Sequence, residues 1–331
     1  SQGIRYTVLS PFQAAKTRPD GVREWNDASS GRIDTRKAYR MRFPSGSEIA
    51  VFFYNGGIAK AVAFEKLLEN GDRFANRLRQ GFGDDASTQL VHIATDGETY
   101  GHHHKFGEMA LAYTLQTLDD DPGSRLTVYG EFLEQFPPRH DVQIVDGSSW
   151  SCSHGVERWR SNCGCQTGGD PHWTQDWRTP LRESLDWLRD ALAHRFERVA
   201  GEFFKDPWEA RNHAVVFLLD SSRETEDRFF SRFSSHPLSE DEKRVASKLL
   251  ELQRYALMMY TSCGWFFNDL GGIETIQILR YAARAIELGE ELFQTGFETE
   301  FLKRLSRAKS NLPEAGDGAA IYRREVISGR P

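Results

Sequence analysis

Nine consecutive residues, Asp96-Gly97-Glu98-Thr99-Tyr100-Gly101-His102-His103-His104, concentrate two carboxylates, two glycines and three imidazoles. The apolar run Leu90 to Ala94 precedes them, and a helical pattern, Phe106 to Leu118, follows. That order puts the cluster at the carboxyl end of an expected strand, where parallel α/β folds carry catalytic groups. An aspartate partly enclosed there has its pKa raised by desolvation and can protonate a leaving oxygen near neutral pH. A helix starting near Lys105 opposes the shift, because its positive end favours the carboxylate. The plainer reading is a helix N-terminus with favourable negative charge and solvated histidines. Asp96 with His102, His103 or His104 could also hold a divalent cation that activates water, although three adjacent histidines cannot all point one way from a loop.

A second set of chemically able residues is Cys152, His154, Cys163 and Cys165. All are zinc-ligand types, and a compact set of three cysteines and one histidine would suit a structural zinc ion. One residue separates Cys152 from His154 and Cys163 from Cys165, fewer than zinc motifs usually have, so buried thiols or a disulfide pinning the loop are the alternatives. A cysteine nucleophile paired with His154 lacks any nearby oxyanion site. No motif calls for a catalytic cofactor. Arg158, Trp159, Trp173 and Trp177 flank this loop; Arg and Trp beside a cleft hold sugar hydroxyls and stack on sugar rings, yet a Trp at helical spacing such as Trp177 reads as core.

The elements that must position these groups follow from periodicity. Up to about residue 150, short apolar runs alternate with helical patterns, which predicts β/α units and a mostly parallel sheet. Tyr6 to Leu9, Ile49 to Tyr54 and Leu90 to Ala94 read as strands buried on both faces, with shorter candidates at Leu126 to Tyr129 and Val142 to Val145. Helical stretches carry Val62, Leu67, Leu68, Phe74 and Leu78, and then Phe106 to Leu118. Residues 151–174 form a loop rich in Cys, Trp and Gly, longer than an ordinary connection. From 175 to 331 helices take over: Trp177, Leu181, Leu185, Leu188, Leu192, Phe196 and Val199 form one stripe. Val245 to Met259 and Ile276 to Ile286 carry two more. The expectation is an α/β unit over 1–150, the loop segment, and a helical bundle over 175–331.

Composition narrows the function classes. The chain has 331 residues, 42 Lys plus Arg against 48 Asp plus Glu and a formal charge of -6, which offers no electrostatic footprint for nucleic acid. No apolar run approaches the roughly 18 residues of a membrane span. Aromatic residues make up 12% of the chain, enough for sugar-stacking platforms as well as cores. Four cysteines are too few for a disulfide scaffold and suit a reducing compartment, so a cytoplasmic location is expected. Oligomeric state is not legible.

One resemblance is specific. LVHIATDGETYGHHH is similar to the fourth conserved region of glycoside hydrolase family 57, a strand followed by Asp-Gly-Glu-Thr-aromatic-Gly-His. Gly3 to Pro11 resembles the strand after that family's nucleophile region, and Val145 to Trp150 a later segment at its substrate cleft. SCSHGVERWRSNCGC, WRTPLRESLDWLRD, MYTSCGWFFNDLGGIETIQILRYAARA and NLPEAGDGAAIY resemble the helical C-terminal region of a bacterial family-57-related group. The resemblance implies a partial (β/α)7-type barrel of parallel strands joined to a C-terminal helical bundle. It implies a retaining glycosidase or transglycosidase acting on α-glucan, with Asp96 as acid/base and an oligo- or polysaccharide as substrate. Glu98, His102, His103, Trp150, Arg158, Trp159, Trp265 and Asp269 are the candidate substrate-binding residues, the last two on a Gly-broken helical segment that reads equally well as a packed hairpin. The family's nucleophilic Glu would lie before Ser1; within the chain Glu98, Asp146, Asp269 and Glu274 are the carboxylates that could substitute. The alternatives are a metal-dependent carbohydrate hydrolase or deacetylase, and a non-catalytic carbohydrate-binding module.

Overall fold

The computed structural model describes residues 3–328. The chain divides into two compact units, Ser1–Ser153 and His154–Pro331.

The first unit is organised by the apolar strand β5 (Glu48–Phe53), whose Val51, Phe52 and Phe53 are all fully buried. Alternation sends Val51 and Phe53 to one face, with Tyr39, Ala14 and Val142, and Phe52 to the other, with Ala38 and Phe132. The strands β1 (Tyr6–Leu9), β2 (Ala14–Pro19), β3 (Asn26–Asp27), β4 (Ala38–Arg42) and β6 (His140–Ile144) complete one sheet in the order β1-β5-β4-β6-β2-β3. β1 runs parallel to β5, with Tyr6 opposite Ala50, and β4 runs parallel to β6. The remaining pairs are antiparallel. The α/β class is as expected, and the sheet is mixed, with two parallel and three antiparallel pairs among the described residues. The reason is local: a tight loop in which Gly46 takes φ +83° and Phe43 N–H donates to Ser47 O at 2.9 Å joins β4 to β5 as a hairpin. Helices α1 (Gly56–Phe64), α2 (Gly71–Arg79) and α3 (Gly107–Asp119) share an apolar cluster around Ile58, Val62, Leu68 and Phe74. Asn55 and Asn70 cap the first two through their side chains.

Two expected strands are absent. Leu90 to Ala94 forms no regular element; Leu90 N–H donates to Arg36 O and Asn55 N–H to His92 O, both at 2.9 Å. Arg36 lies just before β4 and Asn55 just after β5, so the segment crosses one end of that pair instead of entering the ladder. Leu126 to Tyr129 is likewise no strand: Val128 is the extended N-cap of α4 (Tyr129–Gln135). Its first residue, Tyr129, packs its ring on Phe52 and Tyr6.

The second unit is helical. The α5 helix (Arg178–Ala200) buries Leu181, Leu185, Leu188, Leu192 and Phe196 completely, so the long stripe is indeed core. Short helices α6 (Pro207–His213) and α7 (Val216–Leu219) lead to α8 (Arg223–Phe233). They are followed by α9 (Glu240–Met258), α10 (Ile273–Phe293), α11 (Glu298–Leu305) and α12 (Gly318–Tyr322). One cluster joins α5, α9 and α10 through Leu188, Leu252 and Leu279; a second gathers Phe196, Phe204, Phe229, Phe230 and Leu249. No helix among the described residues is long and apolar enough to cross a membrane.

Candidate functional site

In the first unit the segment after Ala94 closes into a turn of 3-10 helix, Gly97–Thr99, with Asp96 at its N-cap. Thr99 N–H donates to Asp96 O at 3.1 Å, and the amides of His102 and His103 both donate to Glu98 O at 3.2 and 2.9 Å. Gly101 returns its N–H to His104 O at 3.1 Å. It does so at φ +119°, a backbone conformation that calls for glycine. The backbone is therefore tightly hydrogen-bonded while the side chains of Asp96, Glu98, His102 and His103 are exposed. The Asp96 carboxylate is not spent on capping the turn. It is exposed, not partly enclosed as the sequence suggested. The rings of His102 and His103 lie edge to face with centroids 5.0 Å apart.

His104 behaves differently. Its Nε2 reaches the Ala63 carbonyl on α1 at 3.0 Å, which ties the turn to the helix behind it. Asp96 and the three histidines do not come together as a metal-ligand group; among the described residues the one such cluster is Cys152, His154, Cys163 and Cys165.

His92, four residues before Asp96, was not anticipated as a special residue. It is buried, its Nδ1 is 3.0 Å from Tyr129 Oη, and its Nε2 has no hydrogen-bond partner. Burial pushes its pKa down to about 4, so it is neutral at physiological pH. It borders a cavity of about 660 Å³ with Tyr6, Leu90, Tyr129, Phe132 and Phe136. The sequence signal was present: a polar residue inside an apolar run must be buried with a partner or a purpose.

Trp150, in the first unit, is 61% exposed. In the second unit the candidates divide. Trp159 is half-buried, its indole N–H donating to Ser262 O at 3.2 Å. Arg158 is buried, donating to Phe266 O at 2.9 Å with its guanidinium 4.2 Å above the Phe266 ring. Trp265 is 1% exposed within the core of α5, α9 and α10, so it has no free face for a sugar ring. Asp269 is also consumed by the fold: it accepts from Gly271 N–H at 2.7 Å, Asn311 N–H at 2.6 Å and the Ser310 hydroxyl at 2.9 Å. Both were candidate substrate contacts, and both are corrected to packing roles. The neighbouring Asn268 accepts from Thr167 N–H at 3.0 Å and donates to Gly168 O, fastening the long loop onto the helices.

Residues 2–144 match the family model described as glycosyl hydrolase family 57. Residues 173–330 match a domain of unknown function, DUF3536. No curated protein matches the sequence. Among solved structures, the exo-type maltose-forming amylase from Pyrococcus sp. ST04 is 16% identical with a TM-score of 0.64. That match covers 97% of this chain and 64% of the amylase, so the chain spans just under two thirds of it. The 4-alpha-glucanotransferase of Thermococcus litoralis is 18% identical over 88% of this chain and 39% of that one, at a TM-score of 0.46. The family-57 branching enzyme of Thermococcus kodakaraensis is 14% identical over 98% and 56%, also at 0.46. The family match falls on the sheet unit that carries the Asp96 turn and the amylase shares the fold, so residues 2–144 of the chain are related to glycoside hydrolase family 57.

Proposed function

We propose that the protein is an α-glucan-active glycosidase or transglycosidase that retains configuration, with Asp96 as its general acid/base. The observation that carries this reading is that the family-57 match includes the Asp96 turn, and that the turn leaves this carboxyl exposed and unspent on capping. In the first step Asp96 gives its proton to the glycosidic oxygen as the C1–O bond breaks, and a second carboxylate forms the glycosyl ester. In the second, Asp96 takes a proton from the incoming water or sugar hydroxyl as that ester is cleaved. An oligosaccharide seated over the turn would displace water from around Asp96. Glu98, His102 and His103 stand on the same turn and would contact sugar hydroxyls. Trp150 offers a stacking face.

The test is release of reducing ends from maltooligosaccharides and glycogen by the protein as its natural gene encodes it, beside its Asp96→Asn variant. Loss of turnover by about 10²-fold or more in the variant, with an unchanged circular dichroism spectrum, supports the assignment. Retained turnover in Asp96→Asn removes Asp96 from the mechanism. Saccharide binding without turnover in the natural protein replaces the reading with a binding module.

A further inference from the structure

We propose that Cys152, His154, Cys163 and Cys165 bind one structural zinc ion. Their four ligand atoms all lie within 4.8 Å of one another. Tetrahedral zinc, with Zn–S near 2.3 Å and Zn–N near 2.0 Å, sets its donors about 3.5 to 3.8 Å apart, so a small contraction completes the site. One edge already has that length: Cys165 Sγ is 3.5 Å from His154 Nδ1. The donors belong to one continuous loop. Gly164, between two of the cysteines, holds φ +76°, a conformation that lets a Cys-Gly-Cys stretch reverse direction and turn both sulfurs inward. All four cysteines stand as thiols rather than disulfides.

An independent observation is the charge beside the cluster. Arg178 is completely buried. Its Nη1 is 3.6 Å from Cys163 Sγ, its other hydrogen-bond partners are the Phe266 and Phe267 carbonyls, and its Nε has none. A guanidinium removed from water needs a counter-charge, and none of these partners is a carboxylate. Zinc with three thiolates and a neutral imidazole carries a net charge of −1, which is what Arg178 requires. Binding is not a redox step: three S–H protons pass to solvent as three S–Zn bonds and one N–Zn bond form. The role is structural because four protein donors leave no position for a substrate.

The experiment is metal analysis of the whole protein purified under reducing conditions from zinc-supplemented medium. About one zinc per chain is expected, falling below about a tenth of that in Cys163→Ser and Cys165→Ser while Cys263→Ser, outside the cluster, retains it. Should the cluster variants fail to fold, the natural chain is stripped with chelator at low pH and titrated with Co²⁺. Thiolate-to-cobalt charge-transfer and intense tetrahedral d–d bands saturating at about one equivalent support the site. Zinc-free protein that also gives no such bands overturns it. So does a cobalt spectrum unchanged in a folded Cys163→Ser variant.

Discussion

Asp141 shows what one buried charge contributes to the sheet. It is 8% exposed and accepts from Arg18 at 3.0 Å and Arg40 at 2.9 Å, with Arg42 at 3.5 Å. Burial works to raise its pKa, but the hydrogen bonds from Arg40 and Arg18 outweigh it and hold the carboxyl below its usual range. Asp141→Asn keeps one accepting oxygen but removes the negative charge from among the three guanidiniums, and is expected to cost about 3 kcal/mol in urea unfolding at pH 7. At His92 the pKa is lowered too, but there burial itself is the cause. Its folded pKa of about 4 lies below the ordinary 6.5, so as pH falls from 6.5 the unfolded chain takes up a proton the folded one refuses. Stability should drop through that window by about 1.4 kcal/mol per pH unit. Between pH 7 and 4.5 the natural chain is expected to lose about 2 kcal/mol more than His92→Gln; equal losses would show that His92 is protonated while folded. At this scale the Asp96 turn was legible because its residue types are unusual for a solvated loop. Trp265 and Asp269 were misplaced because a residue at a helix break looks the same in sequence whether its side chain faces solvent or core.

Elements differ in how much local sequence specifies them. The α9 N-terminus is written out fully: Ser239 caps Glu242 N–H, and the Glu242 carboxylate returns to Ser239 N–H at 2.7 Å. Ser239→Ala should lower stability by about 1 kcal/mol. Gly264 is specified by a close approach: a Cβ there would sit 1.9 Å from Ile278 Cδ1 on α10, and Ile278 is fully buried. Gly264→Ala must push the 3-10 turn Ser262–Trp265 off that helix, and a cost of about 2 kcal/mol or more is expected in thermal melting. The helical stripes could be read because a period of 3.6 persists over many turns of α5. Leu90 to Ala94 was misread because five apolar residues state burial without stating ladder partners, and the hairpin of β4 and β5 had already taken the neighbouring positions.

At the scale of the molecule, each apolar cluster among the described residues is built from one unit's own residues. Leu188→Ala, at a fully buried position of α5, should cost 2–5 kcal/mol as an order of magnitude. Hydrogen exchange should report that cost chiefly in α5, α9 and α10, with the amides of β5 changed less. The change of texture near residue 150 was visible in composition. The contacts that hold the loop were not, since they join residues far apart in sequence.

Those contacts set an order in time. Thr174 N–H donates to Asn311 at 3.0 Å, and Asn311 in turn donates to Asn268 O and Thr174 O at 2.9 Å. A growing chain has made the whole loop and helices α5 to α11 before Asn311 exists to close this clasp. During synthesis Asn268 can fasten the loop at Thr167 and Gly168 first, but the clasp at Thr174 must wait until Asn311 has left the ribosome.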